Sequence, residues 1–262
     1  MHKTLIDDGY TILKKAVPYE LCDQINLDFI SYVESNKDEA DRFKLKSGNH
    51  SRLCNMHLVS QAAKEAISSQ KIMSTLDEYF GNPAFVATSL YFQESSKQDI
   101  HRDVPFFNTK PRNIFVGVWI ALEDVDAKAG PLIYYPKSHL LPITPVHVSE
   151  TGGVGESFKK YCDDLKTACV DAGLNLEEGL VSKGDCIIWH AELAHGGSKI
   201  IEEGMTRKSM VFHCAPKDVV MYGAEEFFGE RSYKKKTNGL ILDYDTGREY
   251  IGHSSPIFAP NN

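Results

Sequence analysis

The chain has no paired-cysteine motif. Its six cysteines, Cys22, Cys54, Cys162, Cys169, Cys186 and Cys214, are scattered over 262 residues, and none forms a Cys-x-x-Cys. That spacing excludes a disulfide framework and a zinc knuckle, and points to buried thiols in a reducing compartment. Positive charge is also in short supply: 29 Lys and Arg against 36 Asp and Glu leave a formal net charge of −7. A nucleic-acid surface needs a basic face, so nucleic acid is not an expected partner. No apolar run approaches the roughly 20 residues of a membrane span. The opening MHKTLIDDGY holds no apolar signal-peptide stretch. Membrane association is therefore not expected, and a cytoplasmic location is. No internal repeat and no linker interrupts the chain, so a single domain over 1–262 is expected. The lysine-rich YKKKTNG at 233–239 reads as a solvated turn.

What is present changes character near residue 84. Before it, YELCDQINLDFISYVESN places Leu21, Ile25, Phe29 and Val33 on one stripe of a helix, with Pro18 at its start. SQAAKEAISSQKIMSTLDEYFG reads as a second helical region, stopped by Gly81 and Pro83. The earlier GYTILKKAV reads as a short strand. From residue 84 on, AFVATSLYFQES, RNIFVGVWIALED, GPLIYYPKSH, DCIIWHAELAH and RKSMVFHCAP are short β-branched and aromatic runs separated by Gly, Pro, Asp and Ser. The expected fold is mainly β with flanking helices: a double-stranded β-helix, or jelly roll, packed by N-terminal helices over about 1–83. The core would run over about 84–220. Between two core strands, residues 143–182 form a long insertion with a Gly-rich start and a helix, FKKYCDDLKTACVDAG. Such insertions serve as lids, and Gly152, Gly153 and Gly155 suit a hinge. Lys159, Lys160 and Lys166 on that helix read as a solvated face.

DIHRDVPFF, at 99–107, sets two ionisable groups inside a run that otherwise reads as buried. Buried charge is costly unless paired or bound to a metal. On a strand, residues two apart share a face, so His101 and Asp103 would project together with Arg102 on the other side. An imidazole and a carboxylate make two-thirds of a 2-His-1-carboxylate site. The C-terminal strands offer His190, His195 and His213 for the third position.

Three blocks in order, His101-Arg102-Asp103, GPLIYYPKSH at 130–139, and GDCIIWHAELAHGGS followed by Arg207, resemble the phytanoyl-CoA dioxygenase family of Fe(II)/2-oxoglutarate oxygenases. The resemblance extends from about residue 90 to 215. It implies His195 as the distal iron ligand, since it precedes Gly196-Gly197-Ser198 and stands twelve residues ahead of Arg207. His190 is the rival ligand; His139 and His213 read as structural. The resemblance assigns Arg207 to the far carboxylate of 2-oxoglutarate, a role that suits an always-charged, fork-shaped guanidinium. It places Trp119 along the cosubstrate pocket, with a core role as the alternative, and makes Gln93 and Ser198 further cosubstrate contacts. Gln93 stands where many relatives carry lysine, and Ser198 is one glycine further from the histidine than is common. The presence of Asp103 favours hydroxylation over halogenation.

The implied activity is a dioxygenase that uses Fe(II), 2-oxoglutarate and O2 to hydroxylate an unactivated C–H bond of a small-molecule substrate, releasing succinate and CO2. Two alternatives stay open: a non-catalytic jelly-roll binding protein, and a cupin-like metalloenzyme that does not use 2-oxoglutarate. The intact triad counts against the first and Arg207 against the second.

Overall fold

The computed structural model describes residues 2–230, 240–243, 245–251 and 255–260. The 233–239 lysine run lies outside them. The chain opens with α1 (His2–Asp7) and the strand β1 (Tyr10–Leu13). Helix α2 (Tyr19–Ser35) begins directly after Pro18, which stands at the N-cap with φ −56° rather than inside the first turn. It buries Cys22, Ile25 and Phe29, while Leu21 and Val33 flank that stripe half-buried. After α3 (Lys37–Ala40) and β2 (Leu53–Cys54), the second helical region is two helices, α4 (Gln61–Ile67) and α5 (Gln70–Phe80). The break has a chemical cause. Ser60 and Ser69 each accept a hydrogen bond, from the backbone N–H of Ala63 and of Ile72, so each starts a helix.

The remaining strands and helices are β3 (Ala84–Phe92), β4 (Asn108–Lys110), β5 (Val116–Ala121), β6 (Leu132–Tyr134), α6 (Val148–Thr151), α7 (Val154–Asp171), β7 (Glu177–Glu178), β8 (Cys186–His190), β9 (His195–Gly197), β10 (Ser209–Pro216), β11 (Val220–Tyr222), α8 (Ala224–Phe227), β12 (Leu240–Asp243), β13 (Arg248–Ile251) and β14 (Ile257–Phe258). The large sheet runs β1-β8-β5-β10-β3-β13-β12, with β2 also paired to β3 and β14 to β2. A small sheet, β7-β6-β9, faces it, and β11-β4 form a separate ribbon. The two facing sheets make the jelly roll anticipated from the sequence.

Central strands β5 and β10 are buried along their whole length, which requires cover on both faces. The strand period distributes that cover. Val116, Val118 and Ile120 of β5 join Ile25, Phe29 and Ile72 of the helices in the largest core cluster. Trp119, one position out of phase, packs instead with Leu132 and Tyr134 of the small sheet. The helical layer thus closes the outer face, and the inner face is free to build a site.

Two features depart from the sequence-based outline. Besides the short strand expected in GYTILKKAV, which is β1 and pairs with β8, the N-terminal part supplies a second strand, β2, paired with β3. The large sheet also continues past residue 220 through β12 and β13. Strand β2 has two residues, and β13 meets β3 in parallel through one residue pair, Tyr250↔Val86. Pairings this short leave no periodic signal to read. Within 143–182, α7 buries Ser157, Tyr161, Leu165 and Cys169 at intervals of four.

Candidate metal centre and cosubstrate cavity

His101 and His195 face each other across an isolated antiparallel bridge. The His101 N–H donates to the His195 carbonyl at 2.9 Å, and the His195 N–H returns the bond at 3.0 Å. Opposed residues of an antiparallel pair put their side chains on the same face. The imidazole centroids are accordingly 4.5 Å apart. The strand expected around His101 is reduced to this one bridge. The Asp103 carbonyl accepts from the N–H groups of Phe106 and Phe107, which turns the chain at once. The Asp103 carboxylate still meets both rings: Oδ1 lies 3.6 Å from His101 Nε2 and Oδ2 lies 3.5 Å from His195 Nε2. One ligand atom from each residue falls within 4.8 Å of the others, and all three residues are buried.

Local hydrogen bonds aim these groups. His101 Nδ1 lies 2.7 Å from the Asp99 carbonyl and His195 Nδ1 lies 2.9 Å from the Leu193 carbonyl. Each carbonyl can only accept, so Nδ1 carries the proton and the Nε2 lone pair points into the site. Arg102, between the two ligands, turns away and is buried. Its guanidinium donates to the carbonyls of Ser138 and Leu141 at 2.7 and 2.9 Å. Ser138 Oγ accepts the Ala194 N–H at 2.8 Å, and the Ala194 carbonyl accepts the Tyr135 N–H at 2.9 Å. The 130–139 block is therefore the brace that joins the segments carrying the two histidines. Gly196 permits the close approach, because a Cβ there would sit 2.6 Å from the Gln98 carbonyl.

Electrostatics favour the metal-binding protonation states. Burial alone would raise the Asp103 carboxyl. The neighbouring His195, His213 and His101 rings outweigh it and hold the group well below the usual carboxylate range. Burial pushes the His195 imidazole down to about 4 despite the Asp103 charge. An ionised carboxylate and a neutral imidazole are the forms that ligate metal.

The triad opens into a cavity whose walls include Arg52, Trp119, Trp189, Arg207 and His213. Arg207 is 3 % exposed, and burial lowers its pKa to about 10, which leaves it charged at neutral pH. It donates to the Gly130 carbonyl at 3.2 Å and lies 5.5 Å from the Trp119 ring centroid. Its Nε and the Trp119 Nε1 are buried without a hydrogen-bond partner among the described residues. A buried guanidinium and a buried indole N–H, both with donors to spare, fit an anionic ligand entering this cavity.

Gln93 and Ser198 do not line it. The Gln93 side-chain oxygen accepts the His50 N–H at 2.7 Å, and only its backbone serves the site, its carbonyl accepting the Arg207 N–H at 2.9 Å. Ser198 Oγ is tied to the Pro131 carbonyl at 3.1 Å. His190 is also outside the cavity, since it follows Trp189 on β8 and points to the opposite face. Its ring lies 5.1 Å from that of His139, whose Nε2 donates to the Ile6 carbonyl. Sequence reasoning missed Arg52, Trp189 and His213 as cavity residues. The signal for Trp189 was its alternation with His190; nothing local marks Arg52. A second crevice shares Gln98 and His101 with the first and is walled by Phe158, Lys159, Cys162 and Lys166 of α7. Helix α7 of the 143–182 insertion thus stands beside His101.

A jelly roll with two imidazoles, one carboxylate and a buried arginine around a single cavity belongs to the 2-His-1-carboxylate class of metal sites. The family model for phytanoyl-CoA dioxygenase (PhyH) matches residues 6–209. The chain belongs to this family, one of iron- and 2-oxoglutarate-dependent oxygenases. Curated relatives include the peroxisomal phytanoyl-CoA dioxygenases of Bos taurus, 30% identical over 124 residues, and Homo sapiens, 27% identical over 127 residues. These matches cover 47% and 48% of this chain; the chain spans about a third of the length of those relatives, 35% and 36%. Among solved structures, the epimerase SnoN in complex with Fe3+, alpha ketoglutarate and nogalamycin RO is similar with a TM-score of 0.65 at 15% identity, over 95% of this chain and 96% of that one. EctD from S. alaskensis with 2-oxoglutarate and 5-hydroxyectoine is similar with a TM-score of 0.66 at 13% identity, over 89% and 84% of the two chains. No helix among the described residues is long and apolar enough to cross a membrane.

Proposed function

We propose that the protein is an Fe(II)- and 2-oxoglutarate-dependent dioxygenase that hydroxylates a C–H bond of a small-molecule substrate. The observation that carries this reading is Arg207: a buried guanidinium with an unmatched Nε, beside an unmatched Trp119 N–H, in the cavity that holds the triad. A metal alone would leave that charge without purpose; a dicarboxylate cosubstrate gives it a partner. His101 and His195 hold the metal through Nε2, and Asp103 through its carboxylate. Bound iron with 2-oxoglutarate supplies the oxidising chemistry, in which O2 is consumed, succinate and CO2 are released and one oxygen atom is inserted into the substrate.

The protein's own work is placement. Arg207 orients the cosubstrate from its far end, with Trp119 packed on the guanidinium. The helices behind the large sheet and the side chains of the inner face exclude water from the reacting groups. The prime substrate enters along the α7 crevice, which reaches His101 from the solvent side. Free thiols at all six cysteines suit a reducing compartment, and we place the chain in the cytoplasm. The test is a succinate-release screen over a metabolite panel with anaerobically loaded iron, with substrate-free turnover as the baseline. Substrate-dependent succinate with a product heavier by one oxygen atom supports the assignment. A substrate that is consumed with succinate release but without oxygen gain overturns hydroxylation in favour of another oxidation on the same scaffold.

A further inference from the structure

The Asp103 carboxylate has two protein partners that the triad does not explain. The Trp189 indole N–H donates to Oδ2 at 3.0 Å, and His213 Nε2 lies 3.2 Å from the same oxygen. Both residues are buried. They reach Asp103 from different strands, β8 and β10, on either side of β5. The register puts both opposite one residue, Gly117. That glycine is what lets the row exist: a Cβ at 117 would lie 2.1 Å from Trp189 Cε2. The indole therefore lies flat over β5, with its N–H aimed past the sheet at the carboxylate. Trp189 also packs on the His195 ring at 4.7 Å, and Phe107 stacks on His213 at 3.9 Å, so neither donor is free to swing away. His213 Nδ1 has no hydrogen-bond partner among the described residues. A carboxylate oxygen accepts only, so the proton belongs on Nε2 and the ring is a donor to Asp103.

We propose that Trp189 and His213 are positioning residues that fix Asp103 as a one-oxygen metal ligand. Two donors commit Oδ2 to the protein. Both oxygens stand at similar distances from a ligand nitrogen, Oδ1 3.6 Å from His101 Nε2 and Oδ2 3.5 Å from His195 Nε2, but Oδ1 carries neither donor and is the oxygen left for the ion. Two-oxygen chelation by Asp103 would occupy a position that the cosubstrate or O2 would need, and rotation of the carboxylate would turn Oδ1 away from the histidine nitrogens. Gly117 is the third member of the device, because any side chain there displaces the indole. The inference rests on the reading of the triad as a metal site, but not on 2-oxoglutarate or on turnover.

The test is a Mn(II) titration of metal-stripped protein, followed by the loss of the free-ion electron paramagnetic resonance signal. Trp189→Phe keeps the aromatic packing and removes the donor; His213→Leu removes the other. Each should weaken Mn(II) by about 10–100-fold, the range found when partners of metal ligands are lost. His213→Gln, which retains an N–H at a similar reach, should bind close to the parent. A merely structural role predicts no such rescue. Parent-like binding by both Trp189→Phe and His213→Leu overturns the proposal; a parent that binds no Mn(II) at all overturns the metal site and this inference with it. Should those variants fail to fold, the parent compared with Asp103→Asn decides. The chain has two tryptophans, so the Trp189 indole proton is readily assigned in a 1H–15N spectrum. In Zn(II)-loaded protein it should keep the downfield shift of a charge-assisted bond and lose it in Asp103→Asn. A shift indifferent to that substitution overturns the proposal.

Discussion

At the scale of single residues, the proposed function divides the site into groups that would hold the ion and groups that would hold the cosubstrate, and substitutions should separate them. His101→Ala, Asp103→Ala and His195→Ala each remove a ligand and should abolish stoichiometric metal binding, measured by metal content after anaerobic loading. His190→Ala should retain it, because that ring lies outside the cavity. Arg207→Ala should spare metal binding and raise the 2-oxoglutarate requirement steeply. Truncating one partner of a buried charge pair costs about 2–5 kcal/mol. That is roughly one and a half to three and a half decades of affinity. Lysine should rescue only in part, since it lacks the planar fork. The assignment of Arg207 to the cosubstrate would be withdrawn if the alanine variant titrated like the parent. Titratable groups away from the site set an acid limit. Burial, with the nearby Lys64 charge adding to it, pushes His57 down to about 4, and burial does the same to His190. Unfolded histidine titrates near 6.5, so below that pH the unfolded chain takes up protons that the folded chain refuses. Stability should thus fall as pH drops from 6.5 to 4, by up to about 3 kcal/mol per imidazole. Urea unfolding across that window checks the sign, and replacing His57 by Gln should make the slope shallower.

At the scale of elements, α7 is an anchored wall with a looser approach. Tyr161 sits 5.7 and 6.2 Å from the rings of Phe227 and Phe228, and Leu165 and Cys169 are wholly buried. Tyr161→Ala should cost about 3–5 kcal/mol, as for other large aromatic truncations, with thermal unfolding as the readout. The segment ahead of α7 is built differently. Residues 142–147 carry no regular structure, and α6 ends at Gly152 with φ +99°. If part of 143–182 closes over bound substrate, it is this approach and not α7 itself. Limited proteolysis should cut near 142–153 and be suppressed by metal, 2-oxoglutarate and substrate together. Equal cutting in every state would leave the insertion as a fixed wall. The elements also explain what the sequence could convey. The three blocks around His101, Ser138 and His195 were readable because the chemistry confines each to a short local pattern. The joint work of Trp189, Gly117 and His213 was not, because it exists only across three strands in register. Gln93 fell on the other side of that line: its position beside the site was legible, but its side chain is taken by the His50 backbone. The two-residue strand β2, which brings Arg52 to the cavity, had no period to detect.

At the scale of the whole molecule, one jelly roll solves two opposed problems. Its outer face buries a hydrophobic layer under α2, α4 and α5, which gives the large sheet its stability. Its inner face keeps charged and polar groups dry, and among them the Arg207 Nε and Trp119 Nε1 line the cavity without a hydrogen-bond partner among the described residues. On the proposed function, those donors await the cosubstrate of an iron site. The most direct measurement is an anaerobic titration of purified protein with Fe(II) and 2-oxoglutarate, followed by visible absorption. The account predicts a metal-to-ligand charge-transfer band that saturates at one iron per chain, disappears in His195→Ala, and in Arg207→Ala returns only at much higher 2-oxoglutarate. Iron that binds to the triad with no band at any 2-oxoglutarate concentration would contradict it.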